Sequence, residues 1–319
     1  MPQPTATDVH IDTALTNVSI GYTQEHAAFV ADKAFPAVPV DRRSDKFFKY
    51  GKEFWFRNEA KKRAPAAESA GGGFGITTDS YACDVWAFHK DVDDQTRANA
   101  DAALDAETEA ARFVTHVMLI GREVEWASTY FGTGIWGTDK TGGTDFPRWD
   151  AEGSSDPIED IKDGRVQVLK TTGFKPNALV VGFEVHEALK KHPLVLERFK
   201  YTNATSVTSD MLARLFEVDK YLVAEAVRNT ANEGAAGSFD FIAGKHALLC
   251  YSAPAPSLLT PSAGYTFVWR GLTRESGIGV AINRFRLEHL KVDRIEGEFA
   301  YDMKAVATDL GYFFAGAVA

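Results

Sequence analysis

Only two cysteines, Cys83 and Cys250, occur in the 319 residues. They are too few and too far apart for a disulfide framework or a paired metal signature, and they read as buried or half-buried thiols of a reducing compartment. Basic excess is missing as well: 35 Lys and Arg stand against 44 Asp and Glu, a net charge of −9. A dedicated nucleic-acid binder draws its affinity from clustered cations that neutralise phosphates, so that class is excluded and only local or weak polyanion contact is left. No basic region followed by an apolar core opens the chain in MPQPTATDVHIDTAL, so no signal peptide is expected. The apolar closing stretch DMKAVATDLGYFFAGAVA is too short for a membrane span and is broken by Asp302, Lys304 and Asp309, which leaves no membrane segment and a chain made in the cytoplasm. Absent too are a G-x-S-x-G elbow, a Walker lysine and a paired-cysteine zinc signature.

What is present is the composition of an ordinary globular protein, 45% apolar and 25% charged, which argues against global disorder. The length exceeds what one core usually organises, so two compact units, or one unit with long extensions, are expected.

The most conspicuous local feature is EAKKRAPAAESAGGGFGI, residues 59–76, with three consecutive glycines beside Lys61, Lys62 and Arg63. A phosphate cradle needs a strand before such a loop and a helix after it. The flanks are instead two aromatic runs, DKFFKYGKEFWFR and TTDSYACDVWAFHKDV. In the second, Tyr81, Cys83 and Val85 share one strand face and Ala82, Trp86 and Phe88 the other. The flanks therefore predict a long hairpin with residues 59–76 at its tip, each strand of roughly 12 residues reaching about 40 Å. A two-stranded ribbon is marginal alone in water, so its apolar faces need another part of the molecule or another copy. The basic trio reads either as a solvated loop or as intersubunit ion-pair partners.

Before the hairpin, residues 1–40 are polar and end in KAFPAVPV, where Pro36 and Pro39 enforce extended backbone. This reads as an arm lying on something else. After it, Ala103, Ala106, Ala110, Phe113, Val117, Ile120, Val124, Ala127 and Phe131 fall three and four apart, predicting a helix about 43 Å long with one apolar seam for packing. In SSDPIEDIKDGRVQVLKTTG, Asp156 caps, Pro157 fits the first turn, Glu159 follows the cap by three and Gly173 suits the end, so a second helix is expected. NALVVGFEVHEALKKHP reads as a buried strand and a helix stopped by Pro193. TSDMLARLFEV, KYLVAEAVRNT, KHALLCYSA and YTFVWRGL follow as helix, strand, strand and strand of a mixed region. The closing section alternates over Phe285, Leu287 and His289 and shifts phase at Leu290 and Val292, which predicts a bulge or break near residue 289.

Two motifs are weighed and set aside. GTGIWG, Gly132 to Gly137, matches G-x-G-x-x-G but follows a helix and opens none. In HEALKKH, His186 and His192 are six apart and point to different sides of a helix, whereas a zinc-protease helix needs a spacing of four. They read as solvated or capping histidines. No acidic pair is identifiable as a glycosidase-like dyad. No catalytic residue, cofactor site or metal ligand is assigned, and no cofactor is expected.

The order of elements resembles the major capsid proteins of tailed bacteriophages over essentially the whole chain. The likeness is carried by KAFPAVPV leading to DKFFKYGKEFWFR, by ANADAALDAETEAARFVTHVMLIGREVEWA, WDAEGSSDPIEDI and PNALVVGFEVHEALKKHPLVLERFKYT, and by EGEFAYDMKAVATDLGYFFAGAV. It implies the α+β Hong Kong 97-type capsid fold, also used by encapsulin shells: an N-terminal arm (1–40), an extended hairpin loop (41–95), a spine helix with the peripheral domain (96–175), an axial domain (176–275) and strands returning to the peripheral domain (276–319). The implied function is a non-enzymatic subunit that self-assembles through pentamers and hexamers into an icosahedral shell around phage double-stranded DNA. The implied location is the virion capsid, after assembly in the bacterial host cytoplasm. Implied partners are a portal, a separate scaffolding protein or none, since only a short segment precedes FPAVPV, decoration proteins, and packaged DNA by weak nonspecific contact.

Candidate intersubunit contacts are Phe47, Phe48, Tyr50, Phe54, Trp55, Arg57, Lys61, Lys62, Arg63, Gly71, Gly72, Gly73, Phe74, Trp86 and Phe88, the glycines letting the tip bend and fit closely. Lys49, Lys52, Lys61 and Lys62 lie on the hairpin, but no motif marks a partner asparagine, so covalent cross-linking is not the expectation. The alternatives are an encapsulin-like compartment and, from another class, a hydrolase with an unrecognised carboxylate pair.

Overall fold

The computed structural model describes residues 24–99, 106–200, 207–256, 260–271 and 280–319. Ala103 of the expected seam and the first 23 residues of the arm lie outside these. In chain order the elements are β1 (Ala37–Val40), β2 (Ser44–Tyr50), α1 (Lys52–Trp55), β3 (Ile76–Ala82), β4 (Asp84–Asp93), α2 (Asp94–Asn99), α3 (Ala106–Tyr130), β5 (Thr138–Thr141) and α4 (Pro157–Thr172). Then come β6 (Ala178–Gly182), α5 (Phe183–Lys191), α6 (Pro193–Phe199), α7 (Ser209–Leu215), β7 (Lys220–Ala224), β8 (Val227–Asn229), β9 (Phe239–Phe241) and β10 (Ala247–Cys250). The last four are β11 (Gly264–Trp269), β12 (Ala281–Leu287), β13 (Val292–Ala305) and β14 (Gly311–Ala315).

Two five-stranded sheets organise them. The first runs β1-β11-β13-β12, with β4 on the opposite edge of β13; the second runs β5-β14-β10-β6-β7. In the second sheet β6, β10 and β14 are buried at every residue, as strands covered on both faces must be. The sheets do not follow consecutive segments of chain: β11 belongs to the first, while β14, the last strand, lies in the second between β5 and β10.

The capped helix forms as its sequence predicts. Asp156 accepts hydrogen bonds from the N–H groups of Ile158 and Glu159, and Gly173 closes α4 in the left-handed region at φ 73°, where the absence of a Cβ removes the steric cost. Pro193 ends α5 but also opens α6, whose first turn is capped by the His192 ring. The phase shift near residue 289 is a tight turn between β12 and β13 with Lys291 at φ 52°.

The spine helix α3 is present, but its buried row differs from the expected seam. Ala110, Val114, Met118, Arg122, Glu123, Trp126, Ala127 and Tyr130 face inward, whereas Phe113 is exposed and Val117, Ile120 and Val124 are only half-buried. The physical reason is that the inward row passes through Arg122 and Glu123, two charged residues that a search for apolar positions steps around.

These charges are buried because the arm docks over them. The Glu123 carboxylate accepts the N–H groups of Val30 (3.1 Å) and Ala31 (2.9 Å), the donors at the start of a helical turn over residues 30–34. Arg122 lies 3.8 Å from Asp32. Phe29, Val30, Ala31, Ala34 and Phe35 are all buried, and the Phe35 ring lies 4.6 Å from that of Tyr130. The described part of the arm therefore lies on its own chain. Further out, Gln24 brackets Val227, donating to its carbonyl (2.7 Å) and accepting its N–H (2.8 Å).

Two expected outcomes follow from this packing. Burial pushes the Glu123 carboxyl up to about 7 against its two backbone hydrogen bonds and nearby Arg122, with Asp32 adding to the rise. The docked state thus binds this proton more tightly than a released arm does, so the proton-linked part of docking is fully present below the ordinary carboxyl range and is lost as pH rises through about 7. The melting temperature of the wild type, relative to that of Glu123→Gln, is expected to fall from about pH 5 to 7 and to level off above about 8. At Gly182 an added Cβ would lie 1.9 Å from the Gly244 carbonyl oxygen. Because both partners are backbone, Gly182→Ala is expected to cost at least ~2 kcal/mol in urea unfolding.

Candidate intersubunit surface

The expected hairpin exists but is shorter. β2 and β3 pair antiparallel from Ser44↔Ala82 to Tyr50↔Ile76, seven residues a strand, or about 23 Å. The first strand gives way to α1 after Tyr50. The second stops at Ala82, and β4 leaves the hairpin to pair with β13 from Asp84↔Tyr301 to Asp93↔Val292. The break lies at Cys83, whose side chain is fully buried and whose N–H donates to the Arg43 carbonyl at 2.8 Å.

The root is a small second core. Tyr81 stacks on Phe267 at 4.7 Å and Phe47 sits 5.3 Å from the same ring, with Val38, Val40 and Trp269 around them. The Asp302 carboxylate accepts the Ala82 N–H at 2.9 Å. Across the strands Lys49 meets Asp79 at 2.9 Å, and this hydrogen bond holds the Asp79 carboxyl below the usual range.

Beyond the root the apolar side chains have little cover. Phe48 is 63% exposed, Trp55 58%, Phe56 62% and Phe74 56%. Tyr50, Trp55 and Phe74 hold one another, with ring centroids 5.5 to 6.3 Å apart. The Arg57 guanidinium lies 5.4 Å from the Phe54 ring. The tip is thus a preassembled aromatic cluster with a wet outer surface, larger than the scattered single apolar residues of most surfaces.

The structure sorts the remaining candidates. Phe47 belongs to the root, and Phe88 is half-buried against Phe113 of α3 at 5.9 Å; both are used within the chain. Trp86 stacks on Tyr301 at 6.2 Å and keeps its other face exposed. Lys61, Lys62 and Arg63 are exposed, Arg63 donating to the Ala67 carbonyl. Gly71, Gly72 and Gly73 are exposed and none has a positive φ; in this loop the left-handed residue is Ala66, at φ 62°. The glycines therefore make no use of left-handed backbone. Phe56 and Ile76, both exposed, complete the apolar surface and were missed, although Phe56 stands in the aromatic run that signals the hairpin.

Other chemistry is quiet. The Ser155 hydroxyl lies 3.0 Å from His192 Nε2, a spacing that suits a nucleophile and its base. The wiring is reversed, because His192 Nδ1 accepts the Leu194 N–H and Ser155 donates to the Ala151 carbonyl. The proton of the neutral ring sits on Nε2 and is donated to the serine. His186 is buried with Nδ1 3.0 Å from the Tyr221 hydroxyl, not solvated. Burial pushes the Cys83 thiol up to about 11 and that of Cys250 up to about 12, which leaves both unreactive. The loop from Gly132 leads into β5 and no helix follows it directly. No helix among the described residues is long and apolar enough to cross a membrane.

Comparison with known proteins places this geometry. No family model matches the chain. The major capsid protein of Burkholderia phage BcepMu is 27% identical over 317 residues, covering 96% of each chain. A phage-related protein from Bordetella bronchiseptica RB50, solved as a crystal structure, superposes with a TM-score of 0.69 at 25% identity, over 92% of this chain and 94% of that one. The capsid of cyanophage P-SCSP1u shares the fold alone, with a TM-score of 0.61 at 8% identity over 98% and 95%. Shared architecture along nearly the whole chain gives this chain the Hong Kong 97-type capsid fold, and its sequence likeness is to curated phage major capsid proteins.

Proposed function

We propose that the chain is the self-assembling subunit of an icosahedral phage shell, associating through pentamers and hexamers around double-stranded DNA. The observation that carries the reading is the rooted hairpin. Its base is fixed by Phe267, and its aromatic end, Phe48, Trp55, Phe56 and Phe74, is left for a partner to cover. Covering it on a neighbouring copy contributes ~25 cal/mol per Å² of apolar surface removed from water, and symmetric repetition multiplies that term over the shell. Sequence likeness to a phage capsid protein over 96% of the chain favours a genome shell over an encapsulin-like compartment.

In this reading residues 41–95 hold the extended loop, and α3 is the spine of the peripheral domain, formed on the first sheet. The second sheet, with α4 to α7, forms the axial domain. On the same reading residues 264–269, a strand of the first sheet, go with the peripheral domain, and residues 311–315, a strand of the second sheet, go with the axial one. The role is mechanical and includes no enzymatic step. Assembly takes place in the host cytoplasm with a portal, a separate scaffolding protein and decoration proteins, and the net charge of −9 keeps contact with packaged DNA weak and nonspecific.

Electron microscopy of the purified chain, alone and with the products of neighbouring genes, is expected to show closed shells or capsomers. A chain that stays monomeric under every assembly condition overturns the reading. Phe48→Ser, Trp55→Ser and Phe74→Ser together are expected to leave the melting temperature nearly unchanged, since these side chains are already wet, while abolishing assembly. A Cβ added at Gly71, Gly72 or Gly73 meets at most the flexible Glu59 side chain within the chain. The triple valine variant is therefore expected to fold normally and assemble poorly; normal assembly would remove the tip glycines from the interface.

A further inference from the structure

The hairpin touches its own chain at a second place, far from its root. Lys52, the first residue of α1, forms an ion pair with Asp309 across 257 positions of sequence. Asp309 lies in the short 3-10 helix Thr308–Leu310 that leads into β14 of the second sheet. At the other end of α1 the Phe56 ring lies over Gly173, where an added Cβ would meet it at 3.0 and 3.1 Å. Val166, Leu169 and Gly173 stand three and four apart and so share one face of α4. Val166 and Leu169 are exposed, and Phe56 meets the end of this apolar stripe.

The two contacts have a geometric consequence. Phe47 and Tyr81 root the hairpin on the first sheet through Phe267, while Lys52 and Phe56 fasten its far half to the second-sheet layer. Held at both ends, residues 52–56 cannot lie on a neighbouring subunit. Resting on the assembly reading above, we propose that α1 is an intrachain latch: it holds the hairpin against α4 in the single subunit and must release before the hairpin can cover a neighbour. The latch is suited to opening. Lys52 and Asp309 are each about half exposed, at 45% and 48%, and an ion pair of that kind is weak and screened by salt.

The test uses the full chain with Lys52→Cys and Asp309→Cys and a short bis-maleimide; the native thiols at Cys83 and Cys250 are buried. In dilute solution the linked product is expected at monomer mass, and the linked chain is expected not to assemble where the unlinked double variant does. Separately, Lys52→Ala is expected to lower the protein concentration at which assembly begins by about 1.5- to 5-fold, the factor that an exposed ion pair supports. No intramolecular link, a link found only between two chains, or a linked chain that assembles as readily as the unlinked one overturns the latch. If the unlinked chain and the wild type never assemble, the shell reading fails instead, and the monomer link still decides whether the contact exists.

Discussion

The pairing of β4 with β13 is the constraint on which the rest depends. Ten consecutive residues, Asp84–Asp93, align with Val292–Tyr301, and this takes the second aromatic run out of the hairpin and into the first sheet. The hairpin is thereby cut to seven pairs and given a fixed base, because Cys83 must turn at the junction and bury itself beside Phe267. It also fixes α3, which packs on β13 and β4, and so the surface on which the arm docks. A ribbon of two free strands would be a flexible arm; one whose second strand continues into a five-stranded sheet is a lever with a pivot.

Two buried polar groups, Glu123 and His192, tie neighbouring segments to the core. Glu123 takes up two backbone donors that a turn in the arm would otherwise leave unpaired, and the low polarity around it raises the cost of its charge. His192 caps α6 with one nitrogen and holds Ser155 with the other. Such groups contribute less to net stability than the apolar core does, but they define where the arm and the loop before α4 belong.

Much of this was legible in the sequence, and for identifiable reasons. Capping chemistry is local, so Asp156, Pro157 and Gly173 located α4 at both ends. Alternation is local too, and the change of phase near His289 marked the β12 to β13 turn. The hairpin was visible in its aromatic flanks, but its length was not, because nothing near Ala82 says that residues 84–93 prefer a strand about 200 positions away. The inward row of α3 was hidden by Arg122 and Glu123, whose burial depends on an arm that no helical period describes. At the candidate surface, aromatic content pointed to the stretch that carries exposed rings; it could not separate Phe47 and Phe88, consumed inside the chain, from Phe48 and Phe56, left outside.

The root of the hairpin also sets an order in time. Cys83 and the Phe267 that anchors it are 184 residues apart, so at ordinary synthesis rates of 5–20 residues per second the ribosome takes about 10 to 40 s to deliver the anchor after the hairpin has emerged. During that interval the aromatic strands exist without their pivot, and on a polysome many copies pass through the same stage close together. Newly made chains are therefore most prone to premature association before their own second half exists, a hazard that arises from topology and not from the stability of the finished fold.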